Sequence, residues 1–277
     1  MLPTGDGAKG PIHKYVVDRR GLLVPGHESG GREWNPFTSG RLIAESEFFY
    51  RKQDLDNNPN PFEPETMGVT LALEYDNSDF YKNPTSGSRQ RIAISRDWGG
   101  LDDTAPWTSV EFEATKYFSF GATESALQRV LALNMWWADS PTWDSSSTVK
   151  GQQVFHRPPP FSGATLGGLD RHRGYATNRF NDRSGVFYAA EYRHMPDNNP
   201  FKSIPYVNTL RIPWWQWVVF AEVGRVHDEW DLSELHDDMK WGVGAGIRLD
   251  VEGVVVRLDV AKGEEEGQVQ MFIGHTF

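Results

Sequence analysis

The sequence has no cysteine, as suits an envelope protein that crosses an oxidising compartment, although many cytosolic proteins share the trait. It also lacks any apolar run near the roughly 18 to 20 residues a membrane helix needs, and its mean hydropathy is −0.56. A helical membrane protein is therefore excluded. No dense Lys/Arg tract offsets the formal charge of −10, which argues against nucleic acid as a partner. The opening residues MLPTGDGAKGPIHKYVV show no basic stretch followed by an apolar one, so no secretory signal is recognisable and an exported protein would be represented here in mature or truncated form. No repeat longer than a strand is evident.

Large rings, in contrast, are plentiful: 11 Trp, 16 Phe and 9 Tyr. A chain this polar needs so many when Trp and Tyr form girdles at two membrane interfaces around a polar lumen. Alternation with period two supplies the strands. In WGVGAGIRLD, Trp241, Val243, Ala245, Ile247 and Leu249 share one face, while Gly242, Gly244, Gly246, Arg248 and Asp250 share the other. The next segment sets Val254, Val256, Leu258 and Val260 opposite Val255, Arg257, Asp259 and Ala261. The last sets Val269, Met271, Ile273, His275 and Phe277 opposite Gln268, Gln270, Phe272, Gly274 and Thr276. Alternation alone fits a soluble sandwich as well as a barrel. These segments of about nine to ten residues match the roughly 9 to 11 of tilted membrane strands better than soluble strands of about five to six.

Further strands are expected at 41–51, 68–76, 88–97, 107–118, 127–138, 186–194 and 217–226, making about ten in an all-β, antiparallel transmembrane barrel. If Phe277 ends in the periplasm, the long connections 139–185 and 227–239 lie outside, as barrels arrange them. The connection 195–216 is then long on the periplasmic side unless Leu210 to Trp217 extends the following strand. Residues 1–40 form an N-terminal segment whose one expected strand lies around Lys14 to Val24, and residues 41–277 form the barrel domain.

The longest connection ends in LGGLDRHRGYATNRFNDRSGVFYAAEYR. Within it Gly167 and Gly168 precede Arg173, Gly174 and Tyr175, and downstream stand Phe220, Glu222 and Gly224. This order resembles the BamA-like surface-antigen family, in which a long loop folds into the lumen, carries an Arg-Gly-aromatic tip and faces a Phe-x-Asp-x-Gly strand. Here Glu222 replaces the Asp. The resemblance implies a lock between Arg173 and Glu222, a charge-assisted pair strengthened by desolvation, with Gly174 expected to let the backbone turn sharply. Asp76, Asp79, Pro84 and Gly87 are similar to the family's Asp-x-x-Asp, Pro-x-x-Gly hairpin, which is also ordinary turn chemistry. Val269, Met271, Ile273 and Phe277 resemble the terminal β-signal read by the barrel-assembly machinery. Residues 41–277 would correspond to the last ten strands of a barrel that usually has sixteen, and no POTRA repeats precede them in this sequence.

Weaker patterns carry little chemistry. Asp54, Asp56, Asn58 and Glu65 fall at calcium-loop positions, but Pro59 stands where Gly should turn the chain. His227 with Asp228, and His236 with Asp237, lack a nucleophile elbow or a zinc helix, so they read as solvated polar residues and no catalytic residue, metal or cofactor is assigned. The resemblance implies insertion, assembly or translocation of envelope proteins, with outer-membrane lipid and lipopolysaccharide, client outer-membrane proteins and a periplasmic partner as its associates. A passive pore and a barrel hydrolase are the alternatives.

Overall fold

A computed structural model describes residues 2–4, 15–28, 35, 39–53, 65–101, 105–149 and 151–273. Its strands are β1 (Leu2–Thr4), β2 (Gly40–Lys52), β3 (Glu65–Asp76), β4 (Gly87–Asp97), β5 (Trp107–Ser119), β6 (Ala126–Asp139), β7 (Ser146–Val149), β8 (Gln152–Phe155), β9 (Ala164–Leu166), β10 (Phe180–Asp182), β11 (Ser184–Pro196), β12 (Trp215–His227), β13 (Lys240–Val251), β14 (Val254–Gly263) and β15 (Gly267–Ile273). One sheet runs β1-β2-β3-β4-β5-β6-β11-β12-β13-β14-β15, antiparallel at every step. Between β6 and β11 the chain departs to form two small hairpins, β7–β8 and β9–β10.

Burial decides between sandwich and membrane barrel. Leu71, Leu73, Ile92, Ile94, Val243, Ile247, Leu258 and Val260 are 40–55% exposed, whereas Arg41, Glu74, Glu191, Arg193, Glu222, Arg248, Arg257 and Asp259 are buried. A soluble sandwich buries the first set and solvates the second. Here the apolar residues face outward and the charges inward, the arrangement of a barrel wall in lipid.

Over the described residues the ten long strands coincide with those expected, most of them one to three residues longer at one or both ends, and residues 274–277 of the last lie outside the described residues. Two expectations fail. Around Lys14 to Val24 there is no strand: Lys14 is outside the described residues, and Tyr15 to Val24 form a tight turn with one bridge, Val17–Leu23. The Asp18 carboxylate accepts from the amides of Arg20 and Leu22, and Gly21 takes φ 77°, so local turn chemistry wins over extension. Leu22 then inserts among Met195, Trp214, Val255 and Leu127, capping the inner face at the end with the shorter connections. Nor does Leu210 to Trp217 as a whole extend the next strand: Leu210 to Trp214 stay outside it and only Trp215 to Trp217 belong to β12. The connection makes two 3₁₀ turns, Pro200–Ser203 and Val207–Thr209, and β12 begins only after Pro213, which has no N–H for a ladder.

The connection 140–183 packs into the sheet. Ala164 and Leu166 join a buried cluster with Tyr117, Val130, Ala132, Trp136, Ala138, Phe187 and Ala189 from the inner wall. Burial of about 25 cal/mol per Å² of apolar surface offsets part of the entropy lost in ordering so long a segment.

Candidate functional site

The site is the meeting of this loop with the walls of β11, β12 and β14. Gly167 and Gly168 take φ of 111° and 105°, a region closed to most side chains, and let the chain double back. The sharp turn at the tip lies at His172, φ 67°. Gly174 does not have a positive φ, so the expectation that it supplies the turn is corrected. Its role is close approach: a Cβ there would lie 2.7 Å from the Gly263 amide nitrogen and 2.9 Å from the Lys262 carbonyl carbon.

Arg173 is fully buried. Its backbone N–H donates to Glu222 Oε2 at 2.7 Å and its Nε to Glu222 Oε1 at 2.6 Å. Its Nη1 donates to Glu191 Oε2 at 2.9 Å and to Asp259 Oδ2 at 3.1 Å. The guanidinium lies over the Phe220 ring, 3.4 Å from the centroid, a cation–π contact strengthened by exclusion of water. Glu191 also accepts from Arg193 Nε at 2.7 Å and Arg248 Nη2 at 2.5 Å, while Arg257 Nε pairs with Asp259 at 3.0 Å. The wall charges are thus satisfied mainly by one another and by the loop's arginine, which is what burial of charge requires.

Around this network the tip is held by shape. Tyr175 is fully buried; its hydroxyl donates to the Trp241 carbonyl and accepts from the Glu264 amide, both at 3.0 Å. A Cβ on Gly224 would lie 2.9 Å from Leu166 Cδ1, so the last glycine of the β12 motif makes room for the loop. Arg171 lies over Trp136, 4.2 Å from the ring centroid, and 3.7 Å from both Glu111 and Glu113.

A family model described as the Omp85 superfamily domain matches residues 42–277. The chain belongs to the Omp85 superfamily. Its fold is similar to that in "The crystal structure of BamA from Haemophilus ducreyi lacking POTRA domains 1-3", with a TM-score of 0.50 at 15% identity, over 80% of this chain and 44% of that one. The chain spans less than half the length of that structure. No curated protein matches it. As an Omp85 barrel it is an integral protein of a Gram-negative-type outer membrane, with the outward apolar face against lipid.

Other residues singled out in this Omp85 sequence fall as follows. Val269, Met271 and Ile273 project outward from β15, 66–74% exposed, and Phe277 lies outside the described residues. Asp79 ties the β3–β4 connection by accepting from Phe80, Thr85 and Ser86 amides at 2.9–3.2 Å, and Asp76 accepts from the Ser78 amide at 2.8 Å. Of the calcium-like positions, Asp54, Asp56 and Asn58 are outside the described residues; Glu65 opens β3 and accepts from the Tyr50 hydroxyl. His236 contacts Tyr188 OH at 2.9 Å and the Leu232 carbonyl at 2.6 Å at the end of a short helix, α1 (Leu232–His236). His227 Nδ1 lies 3.5 Å from Asp228 and accepts from the Glu229 amide.

Sequence reasoning missed Glu191, Arg193 and Arg171, and gave Arg248, Arg257 and Asp259 only as charges on the face opposite the apolar residues. The signal for the first two was present, because alternation in β11 puts Phe187, Ala189, Glu191 and Arg193 on the inner face. Their partners across the lumen are not encoded in any spacing.

Proposed function

We propose that this Omp85 barrel acts in insertion, assembly or translocation of envelope proteins, with the loop 140–183 locked in the lumen by Arg173 and Glu222 and with strand 269–277 as one side of the seam that engages a client. Gly174, Tyr175, Phe220 and Gly224 shape the lock, and Val269, Met271, Ile273 and Phe277 serve as the β-signal. The observation that carries this reading is the burial of Arg173 among Glu222, Glu191 and Asp259 at the tip of an inserted loop. So costly an arrangement implies that the loop's position matters to the barrel. The passive-pore reading fits less well, because the inner face is occupied by the loop's Ala164 and Leu166 and by Leu22. A hydrolase is supported by neither histidine, since His236 is engaged at the α1 end and His227 in a local turn.

The test uses a photo-crosslinking amino acid at Met271 in cells. Capture of newly exported outer-membrane proteins, reduced by Arg173→Ala, supports the assembly role and names the client. No capture, together with steady ion conductance of the purified protein in planar bilayers, overturns it in favour of a pore.

A further inference from the structure

The loop tip is tied to the outer turn of the last hairpin as well as to the wall. Three consecutive glutamates between β14 and β15 each receive it. The Glu264 amide donates to Tyr175 OH at 3.0 Å. Glu265 takes both Nε and Nη2 of Arg179, at 2.8 and 3.0 Å, in a bidentate pair. Glu266 Oε1 accepts from the Ala176 amide at 3.1 Å. The turn itself is closed by the Gly263 amide on the Glu266 carbonyl at 2.9 Å, and Lys240 reaches Glu264 at 3.1 Å from β13.

The contact continues down β14. Gly174 meets the Lys262–Gly263 backbone, and a Cβ on Gly263 would lie 2.6 Å from the Tyr175 ring. Asp259 takes Arg173, and Arg257 Nη2 donates to the Leu169 carbonyl at 3.2 Å. By contrast, β15 is hydrogen-bonded within the described sheet to β14 alone, so its orientation depends on that hairpin. An exposed pair such as Arg179–Glu265 contributes little by itself. Its bidentate form, joined to two further bonds on adjacent residues, makes the turn a seat rather than an isolated contact.

We propose that the Glu264–Glu266 turn is the seat of the inserted loop and that Arg179 and Glu265 are positioning residues for β15, so that seating of the loop fixes the last hairpin. The mechanical claim stands without a client; its use in releasing clients at β15 rests on the assembly reading.

The test is amide hydrogen exchange of the full chain in lipid nanodiscs. Glu265→Arg sets two guanidinium groups against each other and is expected to raise exchange in residues 267–273 and 169–179 together, by about fivefold, the scale of one lost pair. Arg179→Glu should do the same, and the double swap Arg179→Glu/Glu265→Arg should return both segments towards wild type. Exchange in β3 to β5 checks that the barrel has folded; if Glu265→Arg fails that check, Glu265→Gln replaces it. Faster exchange in 169–179 with 267–273 unchanged, or a double swap that restores neither segment, overturns the proposal. Both readouts use purified protein without client, so a failure here leaves the crosslinking test of assembly untouched, and the reverse.

Discussion

Glu222 holds Arg173 by two different groups, its backbone N–H at 2.7 Å and its side-chain Nε at 2.6 Å. One carboxylate therefore fixes both the path of the loop and the orientation of the guanidinium. Glu191 and Asp259 then bind the other edge, at Nη1. The three carboxylates are not equivalent: Glu191 also has Arg193 and Arg248, Asp259 also has Arg257, and Glu222 depends on Arg173.

This asymmetry orders the lock variants. Arg173→Ala leaves Glu222 buried without its cation and is expected to cost roughly 3 to 5 kcal/mol, the range for breaking a buried pair. Glu222→Ala leaves Arg173 with two carboxylates and should cost less. The double variant removes the orphaned charge and should be more stable than Arg173→Ala alone. Heat-modified gel mobility and proteolysis of loop 140–183 in membranes measure all three; additive losses would refute the ordering.

At the tip, Gly174→Ala is expected to destabilise the seated loop by about 1 to 3 kcal/mol, the cost of forced overpacking, because the new methyl would meet backbone on Lys262 and Gly263. His172→Gly should relax the φ of 67° while losing the ring's contacts. Protease half-lives of the loop separate the two sites: equal protection of wild type and Gly174→Ala would show that the close approach is not needed.

The strands were legible because membrane strands are long and the alternation of Val254 to Ala261 repeats without interruption. The Arg173–Glu222 partnership was legible through motif order. Glu191 was not, since an inward charge in FYAAEYR looks like any other until the fold brings Arg173, Arg193 and Arg248 around it. Gly174 misled because glycine serves close approach as readily as turning, and the turn was taken by a histidine. The Tyr15 to Val24 segment misled because Val16, Val17, Leu22, Leu23 and Val24 suit a strand, whereas Asp18 and Gly21 set the local backbone.

The wall itself can be tested by inverting one position. Leu258 faces outward, 45% exposed, beside the buried Arg257 and Asp259. Leu258→Arg is expected to cost about 2 to 4 kcal/mol if it lies near the bilayer midplane. Single cysteines at Val254, Val256, Leu258 and Val260 should react with a lipid-soluble maleimide, and one at Arg257 should not. Equal labelling at 257 would contradict the assigned facing of β14.

Acid should loosen the loop through His172, which lies on the connection rather than on a spanning strand. Its ring is fully buried, and Nε2 lies 3.0 Å from the Lys240 carbonyl; a carbonyl only accepts, so this nitrogen carries the proton. Burial pushes the imidazole down from 6.5 to about 4, opposed by the Lys240 carbonyl and by Glu264. A depressed pKa means that the folded state prefers the neutral ring. The stabilisation is therefore complete above pH 6.5 and is lost as the pH falls from there towards 4. At 1.36 kcal/mol per unit the full loss would be on the order of 3 kcal/mol, most of it between pH 6 and 4. Proteolysis of loop 140–183 with an acid-tolerant protease should accelerate as pH falls from 7 to 5. His172→Asn keeps a residue that tolerates positive φ and removes the titrating ring, so its loop should show a flat response across the same window. An equal acceleration in His172→Asn would assign the pH response to other groups and remove His172 from the account.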